Sequence, residues 1–125
     1  MNIKQALFAY LNNLVDGRMY PGRLPQEPTY PAITYLRVSD NGIIAHDGAG
    51  DLNTARFQFD CHGTHAQADA TATALQKTLN CFSGIMGGEG GVEIHGAFWK
   101  NTHDAFSGKT NIDKISIDFK ILYKE

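Results

Sequence analysis

Ala55-Arg56-Phe57-Gln58-Phe59-Asp60-Cys61-His62-Gly63-Thr64-His65-Ala66-Gln67-Ala68 changes its period partway along, and that change decides the fold. Up to His62 the residues alternate. Phe57, Phe59 and Cys61 share one face of a half-buried strand, and Arg56, Gln58, Asp60 and His62 share the other. Gly63 breaks the alternation, and Thr64 with Gln67 three residues on has the spacing of a capping box. Beyond it Ala68, Ala72, Leu75, Leu79 and Phe82 recur at helical intervals as one apolar stripe. A strand that enters a capped helix through two residues is a rigid unit on which the rest of the chain must pack. It sets the architecture and carries no catalytic pattern.

On its N-terminal side, Asn2 is placed to cap a helix whose stripe is Ile3, Leu7, Tyr10, Leu11 and Leu14, with Asp16-Gly17 as the stop. All four prolines lie between Pro21 and Pro31, so residues 18–31 must be extended. This segment reads as a stiff connector, because Tyr20, Leu24 and Tyr30 supply apolar groups that need cover. The other reading is a polyproline ligand for a groove on a partner. Ala32–Val38 reads as a strand. Residues 39–53, rich in Gly, Asp and Asn, read as the long tip of an antiparallel hairpin leading to 55–62. Ile43 and Ile44 fall in that tip, where apolar residues imply contact with the body of the fold or with another chain.

On its C-terminal side, residues 83–91 hold five glycines and must turn or move. Val92–Trp99 reads as a strand with Val92, Ile94 and Phe98 on one face, and 101–110 as a polar loop. Asp113–Tyr123 is the clearest strand, with Ile115, Ile117, Phe119, Ile121 and Tyr123 all pointing one way. The predicted fold is a single α+β domain over residues 1–125 in the order α-β-β-α-β-β. It has an antiparallel sheet of about four strands with two helices packed on it.

Composition sets outer bounds. A chain of 125 residues, 42% hydrophobic and 19% charged, is ordinary for one globular domain. Eleven basic against thirteen acidic side chains give a net charge of −2, with no run of like charge to mark a nucleic-acid or anionic-membrane footprint. The apolar run Ala6–Leu11 is too short for a signal-peptide core or a membrane span, which points to a protein made and used in a cytoplasm. Cys61 and Cys81 flank the predicted helix, whose ends lie ~24 Å apart. A disulfide needs Cα atoms within about 7 Å, so both are expected as buried thiols.

Candidate chemistry is sparse. Ser107-Gly108-Lys109-Thr110 resembles the end of a phosphate-binding loop, but His103 stands where that loop needs its first glycine. Gly84–Gly91 precedes a strand and offers no helix N-terminus to an anion. His62 and His65 have an H-x-x-H spacing, and a zinc site there would need a third ligand recruited by the fold. The plainer reading puts His62 on the polar face of its strand and His65 at the helix start. Asp60, Glu89, Glu93 and Asp104 form no spaced acid–base pair, and no Ser or Cys sits in a nucleophile setting. No enzyme, metal or cofactor is predicted.

A set of short motifs carries a family signal through its order. These are Gly17-Arg-Met-Tyr-Pro21, Leu24-Pro-Gln26, Pro31-Ala-Ile-Thr-Tyr35, Arg56-Phe-Gln-Phe-Asp60 and Ile117-Asp-Phe-Lys-Ile-Leu-Tyr123. In this order the chain resembles the tail completion (tail-terminator, head–tail joining) proteins of long-tailed bacteriophages. The likeness is good over 3–82 and looser over 92–123. The family often has an aromatic two residues after the Asp of the second strand, where this chain has His62. The resemblance implies a structural protein of the virion, assembled in the bacterial host cytoplasm. It implies a homo-oligomeric ring of about six copies at the head-proximal end of the tail. The ring's partners would be the tail tube protein and the head-completion or connector proteins, with room for DNA to pass but no sequence-specific nucleic-acid contact and no membrane. Ile43, Ile44, Asp47 and Leu52 are the predicted subunit or partner interface. The rival readings are a small metal-binding protein or enzyme using His62 and His65, and a stand-alone peptide-binding module.

Overall fold

The computed structural model describes residues 1–44, 51–106 and 111–125. Helix α1, Ile3–Leu11, starts where the sequence places its cap: Asn2 Oδ1 accepts from Gln5 N, and Gln5 Oε1 accepts from Asn2 N, both at 2.9 Å. Its buried face is Ile3, Ala6, Leu7 and Leu11. A 3₁₀ turn, Asn12–Val15, prolongs it, and the left-handed residues Asp16 (φ 50°) and Gly17 (φ 84°) then stop it.

The described residues form six strands: β1 Met19–Pro21, β2 Ala32–Ile44, β3 Asp51–Gly63, β4 Gly84–Met86, β5 Val92–Phe106 and β6 Asp113–Lys124. They form one sheet in the order β1-β2-β3-β6-β5-β4. Helix α2, His65–Leu79, lies between β3 and β4 in the chain. It packs across β3 and β6 at the middle of the sheet.

The expectation of about four antiparallel strands is therefore corrected to six strands in a mixed sheet, because β1 pairs with β2 in parallel. The two additional strands have three residues each, too few to show a period. β1 arises inside the proline-rich connector. Ile33 N donates to Arg18 O and Gly22 N to Tyr35 O, each at 2.9 Å, and Pro21 is tolerated because an edge strand needs no outward donor. β4 arises in the glycine-rich stretch.

Parts of both predicted loops are strand. β2 continues to Ile44 and β3 begins at Asp51, so residues 39–44 and 51–53 are strand, paired as Asp40–Ala55, Gly42–Asn53 and Ile43–Leu52. Likewise Asn101–Phe106 extends β5 against β6. Water bathes these strand ends, so their sequence carries no apolar alternation to read.

The core lies between the sheet and the helices. Phe57, Phe59 and Cys61 of β3, and Ile115, Ile117, Phe119, Ile121 and Tyr123 of β6, are all buried as their spacing requires. Phe59 meets Phe119 edge-on with ring centroids 6.0 Å apart. From α2, Ala68, Thr71, Ala72, Leu75 and Leu79 complete the layer, while Phe82 is half-buried against it and Tyr10.

Two expectations about side chains fail. The register shifts between Ile94 and Gly96, which turns Ala97 inward and leaves Phe98 exposed, away from Val92 and Ile94. Its ring then covers Gly96, where a Cβ would stand 2.6 Å from Phe98 Cζ. Cys61 is buried, but Cys81 follows the helix end at φ 67° and is exposed; neither is in a disulfide.

Candidate assembly interface

The predicted interface residues divide. Ile43 pairs with Leu52 and Ile44 with Asp51 as the last two rungs of the β2–β3 hairpin, and Asp47 lies outside the described residues. The β3–β6 ladder ends at Asn53–Tyr123, so these two rungs project past the main sheet as a two-stranded arm. Leu52 is half-buried there.

A polar cluster holds the base of the arm. The Asp40 carboxylate accepts from the Tyr123 hydroxyl, from Arg37 Nη1 at 3.0 Å and from Asn53 Nδ2 at 3.4 Å. Asn53 Nδ2 also reaches the Tyr123 hydroxyl at 3.3 Å. Burial, with the neighbouring Asp40 carboxylate, pushes the Tyr123 hydroxyl up to about 12, so it stays a donor. No sequence pattern links Asp40 to Tyr123, because the contact is made by the sheet and spans 83 residues.

The sheet leaves two edges open. β1 covers only Ile33–Tyr35 of β2, so the outer side of β2 from Leu36 to Ile44 has no strand partner among the described residues. β4 covers only Val92–Ile94 of β5. Cys81 N donates to Ala97 O, and Trp99 N donates to Asn80 Oδ1, and from Asn101 to Phe106 the outer side of β5 has no strand partner among the described residues. Large exposed apolar side chains gather on these edge strands: Leu36 and Val38 on β2, Ile85 on β4, Phe98 and Trp99 on β5. The alternation of the sequence could not show this, because it reports faces and not edges.

The helix-free face is polar. Arg56 and Lys120 face each other across β3 and β6 and, with Lys100, Ser39, Asn41 and Thr54, line a shallow cavity of about 360 Å³. Asp60 is buried on this face and accepts from Ser116 Oγ at 2.6 Å and Gln58 Nε2 at 3.0 Å. His62 Nε2 lies 2.9 Å from Thr34 Oγ1. Burial lowers the His62 pKa; Asp60 opposes the shift and Lys114 adds to it. His65, the first residue of α2, is exposed, with Nδ1 3.3 Å from Asp113 Oδ2. The two histidines therefore have separate polar partners, and no three His, Cys, Asp or Glu side chains converge among the described residues. Glu93 pairs with His95, and Ser107–Thr110 lies outside the described residues. No helix among them is long and apolar enough to cross a membrane. The geometry offers edges and an arm for protein contact.

A chain from the virion of a native gene transfer agent particle has the same fold, with a TM-score of 0.61 at 17% sequence identity. The match covers 92% of this chain and 84% of that one. No curated protein sequence matches this one. The family model described as tail completion protein gp17 matches residues 5–124, nearly the whole chain, including the strand-to-helix unit and both open edges. The chain belongs to the tail completion protein gp17 family of phage structural proteins.

Proposed function

We propose that this protein forms a homo-oligomeric ring, of about six copies, at the head-proximal end of a phage or prophage tail. There it terminates the tail tube and joins the tail to the head-completion proteins. Family membership over residues 5–124 carries this reading. That the structural neighbour comes from the virion of a gene transfer agent particle is consistent with it. Two unlike open edges on one sheet support it, since a ring of identical copies needs two different contact surfaces per copy. The role calls for no catalysis and no cofactor.

The test is molar mass by light scattering across a concentration series, with electron micrographs of the heaviest species and co-purification with tail tubes. A closed ring with a central hole, or stoichiometric capture on tube ends, is the expected result. A monomer that ignores tail tubes would sink the reading. Ile43 and Ile44 on the arm are proposed to reach a neighbouring copy or the tube. Replacing both with Ser should weaken assembly and leave the monomer folded, whereas loss of the fold would assign them to the core.

A further inference from the structure

We propose that copies of this chain join edge to edge, with β5 of one copy pairing antiparallel with β2 of the next. The copies are offset along the strands so that the two sheets meet in a lap joint. This names the contact within the ring reading and rests on that reading.

Strand direction comes first. β2 and β6 both run antiparallel to β3, and β5 runs antiparallel to β6, so β5 and β2 point in opposite directions within one sheet. Two sheets set side by side in the same orientation therefore bring β5 of one against β2 of the other as an antiparallel pair.

The short edge strands then set the offset. β1 lies on β2 at Ile33–Tyr35, level with Ile115–Ile117 of β6, and β4 lies on β5 at Val92–Ile94, level with Tyr123 and Lys124. They block diagonally opposite corners of the sheet. Side-by-side docking without a shift would drive each short strand into the neighbour's open edge. A shift along the strands removes both collisions and aligns the open segments. Asp40 and Gly42 are level with Ile121 and Tyr123, and Asp104 and Thr102 are level with Ile115 and Ile117, so setting these pairs opposite each other needs a shift of about six residues, or ~20 Å. Such a stagger closes into a ring when the strands tilt against the ring axis, as in a barrel.

The lengths match as well. The bulge between Arg37 and Ser39 ends the irregular part of β2 and leaves Ser39–Ile44 as a straight edge. The bulge between Trp99 and Asn101 does the same for β5 and leaves Asn101–Phe106. Each segment has six residues. A foreign strand could fill either edge, but only a second copy fills both at once, and unlike edges make the contact head-to-tail.

Proline at an outward-pointing amide tests this. Ile33 N points outward to Arg18 O and Trp99 N outward to Asn80 Oδ1. Counting past each bulge puts the amides of Asp40 and Gly42, and of Thr102 and Asp104, on the open sides. Gly42→Pro and Thr102→Pro remove those donors without touching the internal ladders, the second at the loss of the exposed bond from Trp99 Nε1 to Thr102 Oγ1. Each variant alone should run as a monomer with wild-type circular dichroism and thermal unfolding. An equal mixture should give a dimer and stop there, since each variant retains the edge that the other lacks. Rings from either variant would overturn the edge pairing and leave a ring built on another surface. A dimer from Thr102→Pro alone would mean that β2 pairs with β2, and one from Gly42→Pro alone that β5 pairs with β5; either overturns the head-to-tail joint. A wild-type protein still monomeric at its highest soluble concentration also overturns it, while a tail-templated ring survives. Gly42→Lys and Thr102→Lys, which guard an edge by charge, replace any proline variant that fails to fold.

Discussion

Asp60 shows how much one residue on the helix-free face depends on its neighbours. Its carboxylate is buried and takes hydrogen bonds from Ser116 Oγ and Gln58 Nε2. Ser116 is 1% exposed, so water cannot replace the hydroxyl when it is removed. Ser116→Ala should therefore cost about 1–3 kcal/mol, read as a lower urea midpoint with an unchanged m-value. His62, on the same face, links stability to pH. Its folded pKa lies below the ordinary value because burial disfavours the imidazolium. Between the folded value and the unfolded value of about 6.5, the unfolded chain holds more protons, so stability rises with pH through that window. The contribution is present in full above the unfolded value and is lost as pH falls through the folded one. Melting temperature should drop from about pH 8 to about pH 5, and His62→Gln should flatten part of that drop. An unaltered slope would remove His62 from the account.

At the scale of elements, the strand-to-helix corner carries the most legible signal. Thr64 Oγ1 accepts from Gln67 N at 3.4 Å, and Gln67 Oε1 accepts from Thr64 N at 3.0 Å, which closes the capping box that the spacing predicts. Thr64→Ala should destabilise the fold by about 1 kcal/mol, measurable by thermal unfolding. Serine in its place should restore most of the loss. Gly63 before it leaves no room for a side chain: a Cβ there would lie 2.8 Å from Gln67 Cβ. The elements that sequence missed have a common cause. β1 and β4 are three residues long and exist only because a longer strand lies alongside to accept their bonds. The polar ends of β2 and β5 belong to the sheet through pairing with β3 and β6, and no local preference marks them.

For the whole molecule, net charge and edge geometry lead to one further expectation. The chain carries a net charge of −2, and the proposed joint is made by main-chain hydrogen bonds between open edges. Assembly should thus change little when salt rises from about 0.05 M to about 0.5 M, where surface charge pairs are screened. A steep loss of mass by light scattering over that range would point instead to Arg56, Lys100 and Lys120 on the helix-free face. The sequence by itself determined both helices, their caps, and the inward faces of β3 and β6. Each of these is written in short-range periods and in side chains that bond three residues away. Motif order pointed to the phage family as well. Only the tertiary structure decided the sheet order, the two short edge strands, the outward turn of Phe98, the Asp40–Tyr123 contact and which edges stay open. Those depend on which strands lie side by side, and long-range pairing joins residues whose local sequence carries no trace of the partner.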